Sequence, residues 1–157
     1  VPPMILTLEQ LRQQLEEAQR IAGIGSWSWD LATGAVAWSR ETYRILGVSP
    51  ETPPSFELVL SAAIDDAHAQ QFVEHTQAAL RGERPYEFEI PARMADGRIV
   101  TLCTRGVVER DAQGTPLRLV GTMQDVTAAR VAETALRERE ALFRTLAESS
   151  PLGVFLV

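Results

Sequence analysis

The sequence predicts an α+β domain, an antiparallel sheet with its helices segregated to one face. Three observations carry this reading. Apolar and polar residues alternate in two short segments before Trp38 and in three longer ones after Tyr86. The segments between those two groups carry helix caps and helical spacing instead. Asp96-Gly97, between two alternating runs, is the strongest hairpin signal in the chain.

The elements follow in order. Thr7 to Ala22 has no Gly or Pro and is rich in Leu, Gln, Glu and Arg, all good helix formers. Thr7 with Gln10 makes a capping box at its start. Leu8, Leu11, Leu15, Ala18 and Ala22 recur at spacings of 3, 4, 3 and 4, a seam of about two heptads. Gly25-Ser-Trp-Ser-Trp-Asp-Leu31 alternates with period two and sets Trp27 and Trp29 on one face. Ala32-Thr33-Gly34 turns the chain, and Ala35 to Trp38 returns. Ser39 caps a short helix with Tyr43, Ile45 and Leu46 inward, and Gly47 ends it.

Pro50, Pro53 and Pro54 mark a loop, and Ser55 opens another helical turn. Asp65 or Asp66 caps a helix running to about Leu80, stopped by Gly82, with Phe72, Val73, Thr76 and Leu80 as its apolar side. Tyr86, Phe88, Ile90, Ala92 and Met94 then alternate with polar partners, as in a strand wet on one side. Pro91 cannot donate to a ladder, so this strand lies at an edge or carries a bulge. Ile99 to Glu109 is a long strand and Asp111 to Gly114 a turn. Leu117 to Val126 returns with Leu117, Leu119 and Met123 on one face. Thr127 to Glu148 is a second amphipathic helix with its own 3–4 stripe, Ala129, Ala132, Leu136, Arg139, Phe143 and Leu146. Each stripe packs either on its own domain or on its counterpart in a second chain.

Composition bounds the function. The chain has 157 residues, 45% hydrophobic and 23% charged, a globular balance. Its 15 basic residues, all Arg, against 21 acidic ones leave a net charge of −6, which argues against nucleic acid as partner. Cys103 is the single cysteine, so intrachain disulfides and multi-cysteine zinc sites are excluded. No apolar run approaches the roughly 20 residues that span a bilayer, and Val1 to Leu6 is too short for a secretory signal, so the expectation is a cytoplasmic fragment with no membrane segment. The divisions expected are an N-terminal amphipathic helix over 1–23, a domain over 24–126 and a linker helix over 127–149. Residues 150–157, where Gly153-Val-Phe-Leu-Val157 repeats the layout that precedes Trp27, are read as the start of a second, truncated repeat.

The middle resembles a PAS domain of the kind that repeats in bacterial sensor proteins. The residues that carry the resemblance are Gly25-Ser-Trp-Ser-Trp-Asp30, Gly34, Trp38-Ser39 and Glu41-Thr-Tyr-Arg-Ile-Leu-Gly47, followed by Asp96-Gly97, Gly106 and Asp111-Ala-Gln-Gly114-Thr-Pro116. Gly121-Thr-Met-Gln-Asp125-Val-Thr127 completes them. It departs from the family's pattern at Ala63-Ile64, before Asp65-Asp66, and at Val100-Thr101. The resemblance implies a five-stranded sheet in the order 2-1-5-4-3, with helices enclosing a small pocket. It also implies a flavin, haem, a small metabolite or nothing as ligand, and an exit helix that carries the signal to an output domain in the same chain.

Several residues bear on chemistry. Cys103 lies in a strand with no Asn-Cys-Arg context, and Met123 stands where flavin photoreceptors look to keep a Gln, so Cys103 is read as a small buried hydrophobe rather than an adduct-forming thiol. His68 and His75 lie seven apart on one face of the same helix, as a solvated face would show; the resemblance implies that haem-binding relatives can carry their axial His on this helix. Asp65 and Asp66, being adjacent, point apart and serve as caps rather than as a carboxylate pair. No metal site and no catalytic residue is expected in this fragment, although the whole protein would be a histidine kinase or a diguanylate cyclase. The candidate pocket is Trp27, Trp29, Phe72, Phe88, Leu102, Leu119 and Met123, suited to a small apolar or planar ligand. Asp125 and Thr127 are the expected signal relay. Leu8, Leu11, Leu15, Leu136 and Phe143 are the expected homodimer seams. The alternative function is a ligand-free interaction and dimerisation module.

Overall fold

A computed structural model describes residues 5–149. The order is α1 (Leu8–Ala22), β1 (Ile24–Asp30), β2 (Val36–Trp38), α2 (Arg40–Leu46), α3 (Phe56–Ser61), α4 (Asp66–Leu80), β3 (Tyr86–Arg93), β4 (Ile99–Arg110), β5 (Pro116–Asp125) and α5 (Thr127–Ser149). The strands form one antiparallel sheet in the order β2-β1-β5-β4-β3. The region through β5 is one compact unit and α5 belongs to another. The expected repeat over 150–157 lies outside the described residues. No described helix is long and apolar enough to cross a membrane.

Local chemistry sets these boundaries. The Thr7 side chain accepts from the Gln10 N–H while Gln10 Oε1 accepts from the Thr7 N–H, closing the capping box. Ser39, Ser55 and Asp65 cap α2, α3 and α4 in the same way, each accepting from the N–H three residues on. Gly23 and Gly47 end α1 and α2 in the left-handed conformation, open to glycine without steric cost. The Arg110 guanidinium donates to the Ala79 and Leu80 carbonyls, satisfying the C-terminal end of α4. Asp96 accepts from the Arg98 N–H in the β3–β4 turn, as expected of Asp-Gly.

β3 is an edge strand, as Pro91 requires. That edge is partly covered: Ala63 bridges to Ala92, and the Arg93 N–H donates to the Ala62 carbonyl at 2.7 Å. The core lies between the sheet and the helices in two clusters, one around Leu46, Met94, Leu102 and Met123, the other around Tyr86, Phe88, Ile90 and Leu119. The N-terminal turn of α2 sits on β1. Thr42 is fully buried, its hydroxyl donates to the Ser26 carbonyl at 2.8 Å, and the Ser39 hydroxyl accepts from the Ser26 N–H at 2.9 Å.

Three local details are set by packing rather than by the sequence pattern. Leu117 shares the inner face with Leu119 but is 45% exposed, because it stands at the strand's beginning beside the irregularity at Glu109/Arg110. On α4 the fully buried residues are Thr76, Ala78 and Ala79, while Phe72, Val73 and Leu80 are half-buried; small side chains let that helix approach β3. Cys103 is half-buried, but strand alternation puts Leu102 and Thr104 inward and so turns Cys103 to the opposite face.

Candidate functional site

The site is built on the inner face of the sheet. One row of paired residues crosses all five strands: Trp38, Trp27, Gly121, Gly106 and Tyr86. The two central strands thus contribute glycines, and the Trp27 ring occupies the space above them. A Cβ built on Gly106 would stand 3.0 Å from both Trp27 Cη2 and Tyr86 Cδ1. The next rows place Leu119 beside Trp29, and Met123 beside Thr104.

Six aromatic rings connect around this face. Trp29 stacks on Phe56 (centroids 5.1 Å apart), Phe56 meets Phe72 (5.3 Å), Phe72 meets Phe88 (5.7 Å), Phe88 meets Tyr86 (5.1 Å) and Tyr86 meets Trp27 edge-on (5.4 Å). Two apolar cavities lie against this arrangement. The larger, of about 50 Å³, has Trp27, Trp29, Phe56, Tyr86 and Leu119 in its wall. The smaller, of about 30 Å³, is lined by Leu46, Leu60, Ile90 and Leu102 among others. Val59, Phe72, Thr104 and Met123 line both and form the partition.

Of the expected pocket residues, Trp27, Trp29, Phe72, Leu119 and Met123 line the larger cavity, and Leu102 joins Phe72 and Met123 around the smaller. Phe88 lines neither. The His75 ring stacks parallel to it at 4.3 Å and Phe72 abuts it, so α4 seals Phe88 into the core. Tyr86, Thr104, Phe56 and Val59 were not anticipated. The alternation that selected Phe88 and Leu102 also selects Tyr86 and Thr104, and a three-residue spacing puts Phe56 and Val59 on one side of α3.

The electrostatics are muted. Burial pushes the Tyr86 phenol up to about 12, against hydrogen bonds to the Thr76 and Thr104 hydroxyls that act in the other direction. His75 is held below the usual imidazole range by burial and by Arg84. His68 pairs its Nδ1 with Asp65 at 2.7 Å. Neither histidine lines either of these two cavities, and spaces of 30 and 50 Å³ fall well below the roughly 150 Å³ that takes up benzene. These residues therefore do not fit a haem or a flavin ring system, and Cys103 faces away from any ring bound here.

A five-stranded antiparallel sheet backing a small apolar hollow, with a helix following its central strand, defines the α+β class of this domain. The PAS fold family's sequence profile matches residues 35–123, and the chain belongs to that family. It is 29% identical over 141 residues to the sensor protein FixL of Bradyrhizobium diazoefficiens, covering 86% of this chain and 26% of that protein. It is 30% identical over 145 residues to a blue-light-activated histidine kinase of Brucella ovis, covering 88% of this chain and 28% of that one. A crystal structure of a sensory box histidine kinase/response regulator from Burkholderia thailandensis superposes with a TM-score of 0.64 at 30% identity, over 85% of this chain and 98% of that one. The chain spans little more than a quarter of those two curated relatives.

Proposed function

We propose that the chain is the regulatory sensor module of a larger signal-transduction protein, with no catalysis of its own. β5 carries the proposal. It is the central strand, it supplies Leu119 and Met123 to the cavity wall, and one residue after Asp125 the chain enters α5. A change in the occupancy or packing of the hollow acts on the strand from which the helix departs, with Asp125 and Thr127 as the relay. Signalling requires α5 to have two arrangements of similar free energy, one of which the occupied hollow favours. The output domain, in the same chain, is a histidine kinase, as the name of the Brucella relative supports, or a diguanylate cyclase. Amide hydrogen exchange tests the coupling: Val59→Leu, which fills the partition, should change protection within residues 127–149. Unchanged protection there, with altered protection in β5, would refute it.

A second reading has its own support. The cavities are small, and both terminal helices keep their apolar stripes exposed: Leu8 is 87% and Phe143 53% accessible, with Leu11, Leu15 and Leu136 also exposed. A module filled by its own side chains that dimerises through these helices would look the same. Native mass spectrometry separates the two, because bound mass supports the sensor, whereas a ligand-free dimer lost on deleting residues 7–22 supports the dimerisation module.

A further inference from the structure

Packed interiors leave few voids as large as a water molecule. Here two, of about 50 and 30 Å³, adjoin on the inner face of the sheet and share Val59, Phe72, Thr104 and Met123 as their partition. Their walls discourage water. The smaller has Thr104 as its one polar side chain, and that hydroxyl already donates to the Thr122 carbonyl at 3.2 Å. Around the larger, Ser55 accepts the Leu58 N–H at 3.1 Å, and the Tyr86 phenol bonds to the Thr76 and Thr104 hydroxyls. Ser28 alternates with Trp27 and Trp29, so its hydroxyl belongs to the opposite face of the sheet. Trp27 Nε1 has essentially no exposed surface and serves no molecule held here. A buried water needs two to four polar partners, which neither wall offers. A charge finds no counter-ion either, since Tyr86 is the single ionisable residue around the two cavities.

Size narrows the class further. A cavity of roughly 150 Å³ takes benzene, or about 25 Å³ per non-hydrogen atom. On that scale the larger space holds about two such atoms and the smaller about one. Building on the sensor reading, we infer that this hollow is a dry site for an uncharged, gas-sized apolar molecule, a homonuclear diatomic or a two-carbon hydrocarbon. Such a molecule is held by dispersion and the hydrophobic effect, without a hydrogen bond. Met123 is the size gate. Its side chain is unbranched and belongs to both walls, and its departure joins the two spaces and admits a larger occupant. Met123 also lies on β5 just before Asp125, so the gate is part of the strand that leads into α5.

The test uses ethane and methanol, alike in their number of non-hydrogen atoms but differing in the hydroxyl, with benzene as the oversized probe. In a sample labelled at the methionine methyl carbons, M123L identifies the Met123 signal, which is followed during titration with each probe. Ethane should move that signal saturably and bind about tenfold or more tightly than methanol, whose hydroxyl finds no partner. Benzene should fail to saturate the wild type and should saturate M123A, where the partition is opened. Methanol binding as tightly as ethane, or benzene saturating the wild type as readily, overturns the inference while leaving a ligand pocket for the sensor reading. Saturation by none of the probes overturns it as well, and the coupling to α5 is then decided separately by Val59→Leu. Saturable ethane binding with unchanged amide protection over residues 127–149 supports the site and overturns the sensor reading. If M123A does not fold, the three probes on the wild type decide.

Discussion

The indole of Trp27 and the α-carbon of Gly121 are in direct register, and only the absence of a side chain on Gly121 lets the ring lie there. A Cβ at that position would come 2.7 Å from Trp27 Cζ2 and 1.9 Å from the Arg105 carbonyl oxygen. Gly121→Ala should therefore destabilise the fold by about 3 kcal/mol, the upper range for overpacking. Gly106→Ala, whose nearest approaches are 2.9–3.0 Å, should cost about 1 kcal/mol. Urea unfolding midpoints check the order, and equal losses would contradict the wedge geometry.

Thr42 joins α2 to β1 through its hydroxyl, and the backbone of Gly25 passes beneath it so closely that a Cβ would meet Thr42 Oγ1 at 2.2 Å. Thr42→Val keeps the shape but leaves the Ser26 carbonyl without that donor. A loss of about 1–2 kcal/mol is expected, with Thr42→Ser falling closer to wild type. A loss in Thr42→Ser that is absent in Thr42→Val would assign the effect to the methyl group instead.

Tyr86 gives the fold an alkaline limit. Its folded value of about 12 lies above the ordinary 10 of an unfolded tyrosine. Between those values the unfolded chain releases a proton that the folded chain keeps, so stability is intact below pH 10 and falls as pH rises toward 12. The slope contributed is about 1.4 kcal/mol per pH unit. Chemical denaturation at pH 9 and pH 11 should show the loss in wild type and a smaller one in Tyr86→Phe.

Self-association, if it runs along the exposed stripe of α1, should weaken in Leu11→Asp or Leu15→Asp by several-fold or more, since an unpaired charge in an apolar seam is costly. Both side chains are exposed in the single chain, so far-UV circular dichroism should not change. Sedimentation showing an undiminished dimer would move the interface elsewhere.

Much of the architecture was legible in the residues. Thr7 with Gln10, Ser39 with Gly47, Asp65 and Asp96-Gly97 act within a few positions of themselves, and local chemistry decides them. Strand alternation likewise set Trp27, Leu102, Leu119 and Met123 on one face. It does not say which part of that face remains hollow. Phe88 has the same parity as Tyr86, yet α4 lays His75 over it, a contact between residues of different elements. Leu117 has the parity of Leu119, which is 1% exposed, but lacks its cover. The burial of Thr42 arises from the approach of α2 to Gly25, which no spacing within α2 encodes.

The sheet's two margins carry one more implication. β2 presents only three residues, and β3 is interrupted by a proline and partly sealed by Ala62 and Ala63. Neither rim offers a long run of free backbone donors and acceptors on which a neighbouring sheet would zip. Copies of such a unit strung along one polypeptide would meet at high local concentration during synthesis, and these blunted rims would keep each copy folding on its own.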